Sequence, residues 1–387
     1  MTSNMTTMYQ RIIEVPKQSF FLFGPRGTGK TVWVKDCFPQ AHRIDLRDES
    51  LYQGLLADSS RFAHELRALP RGSWVFVDEI QRLPGLLNEV HRFIESGLRF
   101  ILTGSSARKL RRGGVNLLGG RAVLRNLYPF VPSELGPDFS LDAVLAYGSI
   151  PLVWMAEDRE DTLRAYVELY IKEEIQAEAI VRNLPGFIRF LPIASLYHGQ
   201  IVNVSAASRD AEVSRTTLAG YVKILEDTLM AFRLPAFESR LRVRERRHPK
   251  LYWFDPGVVR ALRGRRGPPD EQEKGALFEG LIASILRAYR SYRKLFDEWY
   301  YWSPAGSRET EVDFLLERGG EYIAIETKTS GAVHPAHLKG LRAIKALKGL
   351  KRRILLCSGG RNMKTEDGID IWPIAGFMEA LENGTIW

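Results

Sequence analysis

Residues 24–31 read Gly24-Pro25-Arg26-Gly27-Thr28-Gly29-Lys30-Thr31, directly after the apolar run Phe20–Phe23. The spacing G-x-x-x-x-G-K-[ST], leaving a strand and entering a helical stretch, is that of a loop that cradles phosphates. Its glycines let the backbone curl so that successive N–H groups face an anion. The helix that follows adds the positive end of its dipole. In such a loop Lys30 reaches the β- and γ-phosphates of a triphosphate, and the Thr31 hydroxyl ligates Mg2+. Arg26 is exposed by position and is placed to touch phosphates or a neighbouring subunit.

Two carboxylates at the end of another apolar run complete this chemistry. In Trp74-Val75-Phe76-Val77-Asp78-Glu79 the strand delivers both acids to its C-terminal end, where ligands sit in open α/β sheets. Asp78 is expected to hold Mg2+ and Glu79 to orient the attacking water. A third strand ends Leu102-Thr103-Gly104-Ser105, so Thr103 and Ser105 are candidates to sense a γ-phosphate; a plain strand exit is the other reading. Arg121, after Leu118-Gly119-Gly120, can project as a finger onto phosphoryl charge. If it acts in trans, the nucleotide lies between subunits and the chain must oligomerise. A merely solvated arginine is the alternative.

The elements that must position these groups follow from the pattern. Short apolar runs at residues 20–23, 43–46, 74–77, 100–102 and 123–127 alternate with helical stretches such as 85–96, which predicts a parallel sheet. Residues 141–182 read as helical, broken at Gly148-Ser149-Ile150-Pro151, and suit a small lid. Residues 187–237 suggest three short helices, and residues 240–254 alternate as a strand. Residues 263–270, Arg-Gly-Arg-Arg-Gly-Pro-Pro-Asp, form the clearest linker.

Within the middle stretch, Val204 to Val213 precedes Ser214-Arg215-Thr216-Thr217-Leu218 in a helix-turn-helix-like arrangement, with Ser214 as cap. Leu218, Tyr221, Val222 and Leu225 then face the core, while Arg215, Thr216 and Lys223 face outward, towards a major groove if DNA is the partner. Arg240, Arg242, Arg244, Arg246, Arg247, His248 and Lys250 follow on a hairpin and could bind phosphates. A solvated strand edge guarded by cations is the plainer reading.

Composition sets the outer bounds. The chain has 387 residues, 45% hydrophobic and 26% charged, with a formal net charge of +9. That length allows several cores, and the charge is compatible with a polyanionic partner. Two distant cysteines and an N-terminus without signal-peptide character fit a reducing cytoplasm, with no membrane segment and no structural zinc.

Taken in order, the Gly-Pro-Arg-Gly-Thr-Gly-Lys-Thr, Val-Asp-Glu-Ile-Gln, Leu-Thr-Gly-Ser-Ser and Leu-Gly-Gly-Arg motifs resemble those of prokaryotic AAA-type ATPases that carry a C-terminal domain of unknown function. The resemblance implies a P-loop AAA-type parallel sheet (residues 1–135) with a helical lid (136–183), then a winged helix (184–262) and an α/β restriction-endonuclease-like domain (271–387). It also implies ATP and Mg2+ as ligands. The C-terminal acids fit that last domain. Glu279 lies on a helix, Asp313 on a strand, and Glu326 and Lys328 on one face of the next strand across the Gly319-Gly320 turn. This Asp…Glu-x-Lys order is similar to the PD-(D/E)xK nuclease superfamily. By that likeness Asp313, Glu326 and the Thr327 carbonyl hold Mg2+, Lys328 positions the water, and Glu279 supports a second metal. An exposed hairpin with an ordinary Glu326–Lys328 bridge is the other reading.

The leading expectation is a Mg2+-dependent ATPase, assembled as a homo-oligomeric ring such as a hexamer, that binds ATP between subunits and acts on DNA. Two rivals remain: a DNA translocase or junction remodeller whose nuclease fold is inert, and a nucleotide-dependent switch that binds a protein partner.

Overall fold

The computed structural model describes residues 9–105, 108, 110, 118–171, 183–238, 248–304 and 310–387. All four residues of β1, Phe20–Phe23, are buried, as a strand covered on both faces requires. It lies in a five-stranded sheet with β2 (His42–Asp45), β3 (Trp74–Asp78), β4 (Arg99–Gly104) and β5 (Val123–Asn126), in the order β2-β3-β4-β1-β5. Every pair is parallel. Because β4 intervenes between β1 and β3, its C-terminal end separates the glycine loop from Asp78. Phe23 registers with Gly104 and Asp45 with Asp78, so the C-terminal ends that carry chemistry are level. Helices Lys30–Cys37, Glu49–Ala57, Ser60–Arg67 and Leu86–Glu95 cover the faces. The last buries Leu86, Leu87, Val90 and Phe93, the stripe its 3.6-residue period predicts.

The lid stretch is more fragmented than its periodicity suggests. Helix Leu141–Tyr147 ends at Gly148, and the chain continues as Pro151–Trp154 and Arg159–Ala165. At the break Gly148 has φ 78°, and a Cβ there would lie 1.9 Å from Asp255 Oδ1. Asp255 accepts from the backbone N–H of Ser149 (2.7 Å) and caps helix Pro256–Leu262 by accepting from Val258 N (3.2 Å). That helix, expected in the middle module, packs on the lid instead, and Arg260 Nη1 donates to Ala146 O at 3.0 Å. Residues 172–182 of the expected lid lie outside the described residues.

Residues 187–237 contain the expected three helices, Leu184–Leu196, Val204–Asp210 and Arg215–Asp227, but end in a strand, β7 (Ala231–Leu234). There Ala231, Phe232 and Leu234 are buried, Arg233 is exposed, and all four residues pair antiparallel with Lys250–Trp253. β7 joins β6 (Gln200–Ile201) and β8 (Lys250–Trp253) in an antiparallel sheet of order β6-β8-β7. The linker expected at 263–270 is short and held in place: Arg260 Nη1 donates to Gly267 O, and Gly267 N to Glu160 Oε2 at 3.2 Å.

The C-terminal part opens with helix Glu271–Arg293, started by a capping box between Asp270 and Glu273. A six-stranded mixed sheet follows, comprising β9 (Glu298–Trp302), β10 (Val312–Arg318), β11 (Glu321–Lys328), β12 (Leu350–Cys357), β13 (Met363–Lys364) and β14 (Asp370–Pro373), ordered β13-β14-β12-β11-β10-β9. β9–β10–β11 is an antiparallel meander, and β11, β12 and β14 run parallel. One apolar core runs without interruption from Phe20 and Trp33 through Trp154, Tyr221 and Trp253 to Leu281, Phe314 and Phe377. Among the described residues no helix is long and apolar enough to cross a membrane.

Candidate functional site

The glycine loop is held by close packing and by hydrogen bonds to its carbonyls. A Cβ at Gly24 would lie 2.3 Å from Leu127 O, and Gly27 and Gly29 sit at φ 81° and 84°, which favours glycine. Thr28 Oγ1 donates to Pro25 O (2.9 Å), Tyr166 Oη to Arg26 O (2.9 Å) and Leu152 N to Gly27 O (3.1 Å). Arg26 O and Gly27 O are thus engaged from the lid and Pro25 O from within the loop, an arrangement ahead of helix Lys30–Cys37 that suits an anion. Lys30 is buried and donates to Gly24 O (2.7 Å) and Pro25 O (3.2 Å).

Asp78 organises the neighbouring strand ends. It is 2% exposed and accepts from Thr31 Oγ1 at 2.8 Å and from Thr103 Oγ1. The structure therefore brings together Thr31, Asp78 and Thr103, three of the residues read from the sequence. Their all-oxygen donor set suits a hard divalent cation such as Mg2+. Glu79, half-buried, has φ 59°, a strained setting for a non-glycine residue at a strand end. Gln81 Nε2 donates to its carboxylate and approaches Ser105 Oγ at 3.5 Å. Arg121 stands apart, exposed and paired with Glu95 at 2.8 Å.

One residue at this site escaped the sequence reading. Arg47 forks onto Asp45 (2.8 and 2.6 Å) and reaches Asp78 Oδ2 at 3.0 Å. The hydrogen bond to Asp45 and the nearby acids hold its guanidinium firmly protonated. The signal available was its place just beyond strand β2, level with Asp78.

A second cluster lies between the middle sheet and the C-terminal sheet. Carboxylate oxygens of Glu279, Glu311 and Asp313 lie within 4.8 Å of one another. Lys250 sits among them, 3.1 Å from Glu279 Oε1, 3.9 Å from Asp313 Oδ1 and in direct hydrogen bond to Glu311. Burial pushes the Lys250 pKa down, but Glu279, Tyr252, Glu311 and Asp313 outweigh it and hold the ammonium charged. Burial pushes Glu279 up to about 7, with Asp313 adding to the rise and Lys250 opposing it.

Asp313 accepts from Thr327 N (2.8 Å) and Thr327 Oγ1 (2.7 Å), so β10 and β11 are clamped across their register. Glu326 and Lys328 do share one face, and Lys328 Nζ donates to Glu326 Oε1 at 2.7 Å. Burial and then Asp313 raise the Glu326 pKa well above the carboxylate range.

These positions correct two expectations. Lys250, read as a cation available to nucleic acid, is 5% exposed and committed to carboxylates. It precedes Leu251-Tyr252-Trp253, an apolar run buried on both faces, so its side chain follows the strand inward. Glu326, read as a ligand beside Asp313, is not one of the three converging acids; Glu311 is. Strand alternation two residues before Asp313 was the available signal for Glu311. On helix Arg215–Asp227, Arg215, Thr216 and Lys223 are exposed while Leu218, Tyr221, Val222 and Leu225 are buried, and Ser214 Oγ caps by accepting from Thr217 N at 3.1 Å. Lys223 is paired with Asp227 at 2.9 Å. Arg240, Arg242, Arg244, Arg246 and Arg247 lie outside the described residues.

Three family models match successive parts of the chain. Residues 16–136 match the family described as AAA domain, residues 138–268 a domain of unknown function (DUF8612), and residues 274–377 another (DUF4143). The uncharacterized protein Rv2008c of Mycobacterium tuberculosis is 24% identical over 362 residues, 91% of this chain and 79% of that protein. The uncharacterized protein MJ1544 of Methanocaldococcus jannaschii is 21% identical over 334 residues, 78% and 73% of the two chains. A solved STAND protein with a tetratricopeptide repeat sensor from Pyrococcus horikoshii aligns with 74% of this chain at 14% identity and TM-score 0.24, and the match spans about half (49%) of its length. Protein VC1899 of Vibrio cholerae aligns with 95% of this chain and 92% of its own at 13% identity and TM-score 0.20.

Proposed function

We propose that this chain, whose N-terminal part is an AAA-type P-loop ATPase domain, hydrolyses ATP with Mg2+ and uses that cycle to act on DNA. The observation that carries the reading is the single buried carboxylate of Asp78, which accepts from Thr31 of the glycine loop at 2.8 Å and from Thr103 of the intervening strand. In this reading Thr31 and Asp78 hold the metal. Bound Mg2+ would offset the charge that builds on the phosphoryl oxygens.

The residues of the chain do the rest. Lys30 exchanges its two loop carbonyls for phosphate oxygens when nucleotide enters. Glu79, steadied by Gln81, orients the lytic water and draws on its proton. Thr103 and Ser105 sense the γ-phosphate. Arg121, exposed at the edge of the domain, serves a neighbour's nucleotide in a homo-oligomeric ring.

The DNA reading is supported by the outward Arg215, Thr216 and Lys223, the net charge of +9, and an element order of helix, strand, two helices and two strands that suits a winged helix. The C-terminal helix, three-strand meander, helix and parallel strand suit a restriction-endonuclease-like fold. Its acids would suit a divalent metal by donor chemistry, but the position they surround is taken by Lys250, so the metal does not fit as the residues stand.

The test is the anisotropy of a labelled DNA duplex titrated with the full chain at low salt, with and without ATP and Mg2+. The wild type should bind in a salt-sensitive way and change its affinity roughly tenfold on adding nucleotide. Lys30→Ala should bind DNA but lose that response. Absence of binding at low salt would contradict the DNA reading, and an unchanged response in Lys30→Ala would contradict its coupling to the P-loop.

A further inference from the structure

Three carboxylates whose oxygens lie within 4.8 Å of one another favour a cation, and here it comes from a different part of the chain. Glu279 stands on helix Glu271–Arg293, and Glu311 and Asp313 stand at the start of β10. Lys250 begins β8, the central strand of the middle sheet, paired with both Leu234 and Ile201. Its ammonium reaches all three acids, and an ammonium has three protons to give. Tyr252, on the same face of β8, donates to Glu279 Oε1 at 2.5 Å. A fourth acid, Glu326, is more than nine-tenths buried and feels the charges of Asp313 and Glu279, and its Oε2 has no hydrogen-bond partner. The centre therefore offers more acceptor capacity than one ammonium uses.

We propose that Lys250 is a lock on this centre: its ammonium occupies the cation position between Glu279, Glu311 and Asp313 in place of a divalent metal, which is excluded while that ammonium is there. The proposal rests on reading these acids as a metal centre.

Among the described residues the middle module meets the C-terminal sheet through ring packing, Phe232 on Trp299 and Tyr252 against Phe314, and through polar contacts at β9. Phe237 N donates to Tyr301 O (2.8 Å), Tyr301 N to Pro235 O (3.0 Å) and Tyr301 Oη to His248 O (2.5 Å). The Lys250 ammonium also lies 5.4 Å from the Tyr301 ring centre. The middle module thus supplies the cation that the acids of the following domain surround.

The test is titration of the full chain with Mn2+, without nucleotide, reading free metal by electron paramagnetic resonance. Lys250→Met keeps the length of the stem and removes the charge. It should gain a Mn2+ site at least roughly tenfold tighter than anything in the wild type, and Lys250→Met combined with Asp313→Asn should lose it. Mn2+ should also raise the melting temperature of Lys250→Met and not that of the wild type. Asp313-dependent binding of equal strength in wild type and Lys250→Met would overturn the lock while leaving the metal centre standing. Asp313-dependent binding in neither would overturn the metal centre and the lock with it. Should Lys250→Met fail to fold, Lys250→Met with Glu311→Gln relieves the acid repulsion and retains Glu279 and Asp313, so the same titration decides.

Discussion

Asp78 and Asp313 are both buried acids at strand ends, and their partners make them different instruments. Asp78 accepts from two hydroxyls, Thr31 and Thr103, which a metal can replace or join, and meets the half-exposed Arg47 at 3.0 Å, a side chain free to swing towards solvent. Asp313 is clamped by the Thr327 amide and hydroxyl and faces a lysine. Because Thr103 fixes the Asp78 carboxylate and is read as a γ-phosphate sensor rather than as a main holder of the nucleotide, Thr103→Val should lower ATP turnover about 10- to 100-fold. Nucleotide affinity by calorimetry should change much less, whereas equal losses in both would make Thr103 a binding group. The nucleotide residues were legible in the sequence because the loop is contiguous and each acid ends an apolar run. Lys250, Glu279 and Glu311 come from three separate elements, and no local pattern announces their meeting.

At the scale of elements, one buried carboxyl ties the break in the lid to the helix that packs on it. Asp255 is fully buried, stitches the Gly148–Ser149 break to helix Pro256–Leu262, and burial raises its pKa to about 7 despite the amides that favour its charged form. In the unfolded chain the same group ionises near 3.8. Between these values the unfolded state loses its proton first, so the contribution of Asp255 to stability declines as pH rises from about 4 to about 7 and is flat beyond. The decline is on the order of 4 kcal/mol. Urea unfolding of wild type and Asp255→Asn across this range should show a shallower fall in the variant; parallel curves would contradict the assignment. The glycine-rich break was visible in the sequence, but the partner that closes it lies far along the chain. Strand β7 was hidden for another reason: four residues are too few for alternation to outweigh the helical pattern before them.

Across the whole molecule the described parts pack directly on one another rather than hanging on a tether. Arg11, nearly buried, donates to Thr28 O of the glycine loop (2.9 Å), pairs with Glu134 (3.0 Å) and lies 3.5 Å from Tyr292 Oη on helix Glu271–Arg293. Glu279, in the acid cluster, lies on that same helix, roughly 20 Å along its axis. Arg11 thus stands between the glycine loop and the helix that carries Glu279. The Gly/Pro-rich 263–270 stretch suggested independence, and only the folded contacts of Arg260 and Gly267 reveal how closely it is held. All of this depends on the P-loop domain turning over ATP, and the most direct measurement is steady-state phosphate release by the full chain with ATP and Mg2+, wild type against Glu79→Gln. The account predicts turnover in the wild type, and in Glu79→Gln a loss of at least about a hundredfold with nucleotide still bound. Equal phosphate release from the two proteins, or none from the wild type, would contradict it.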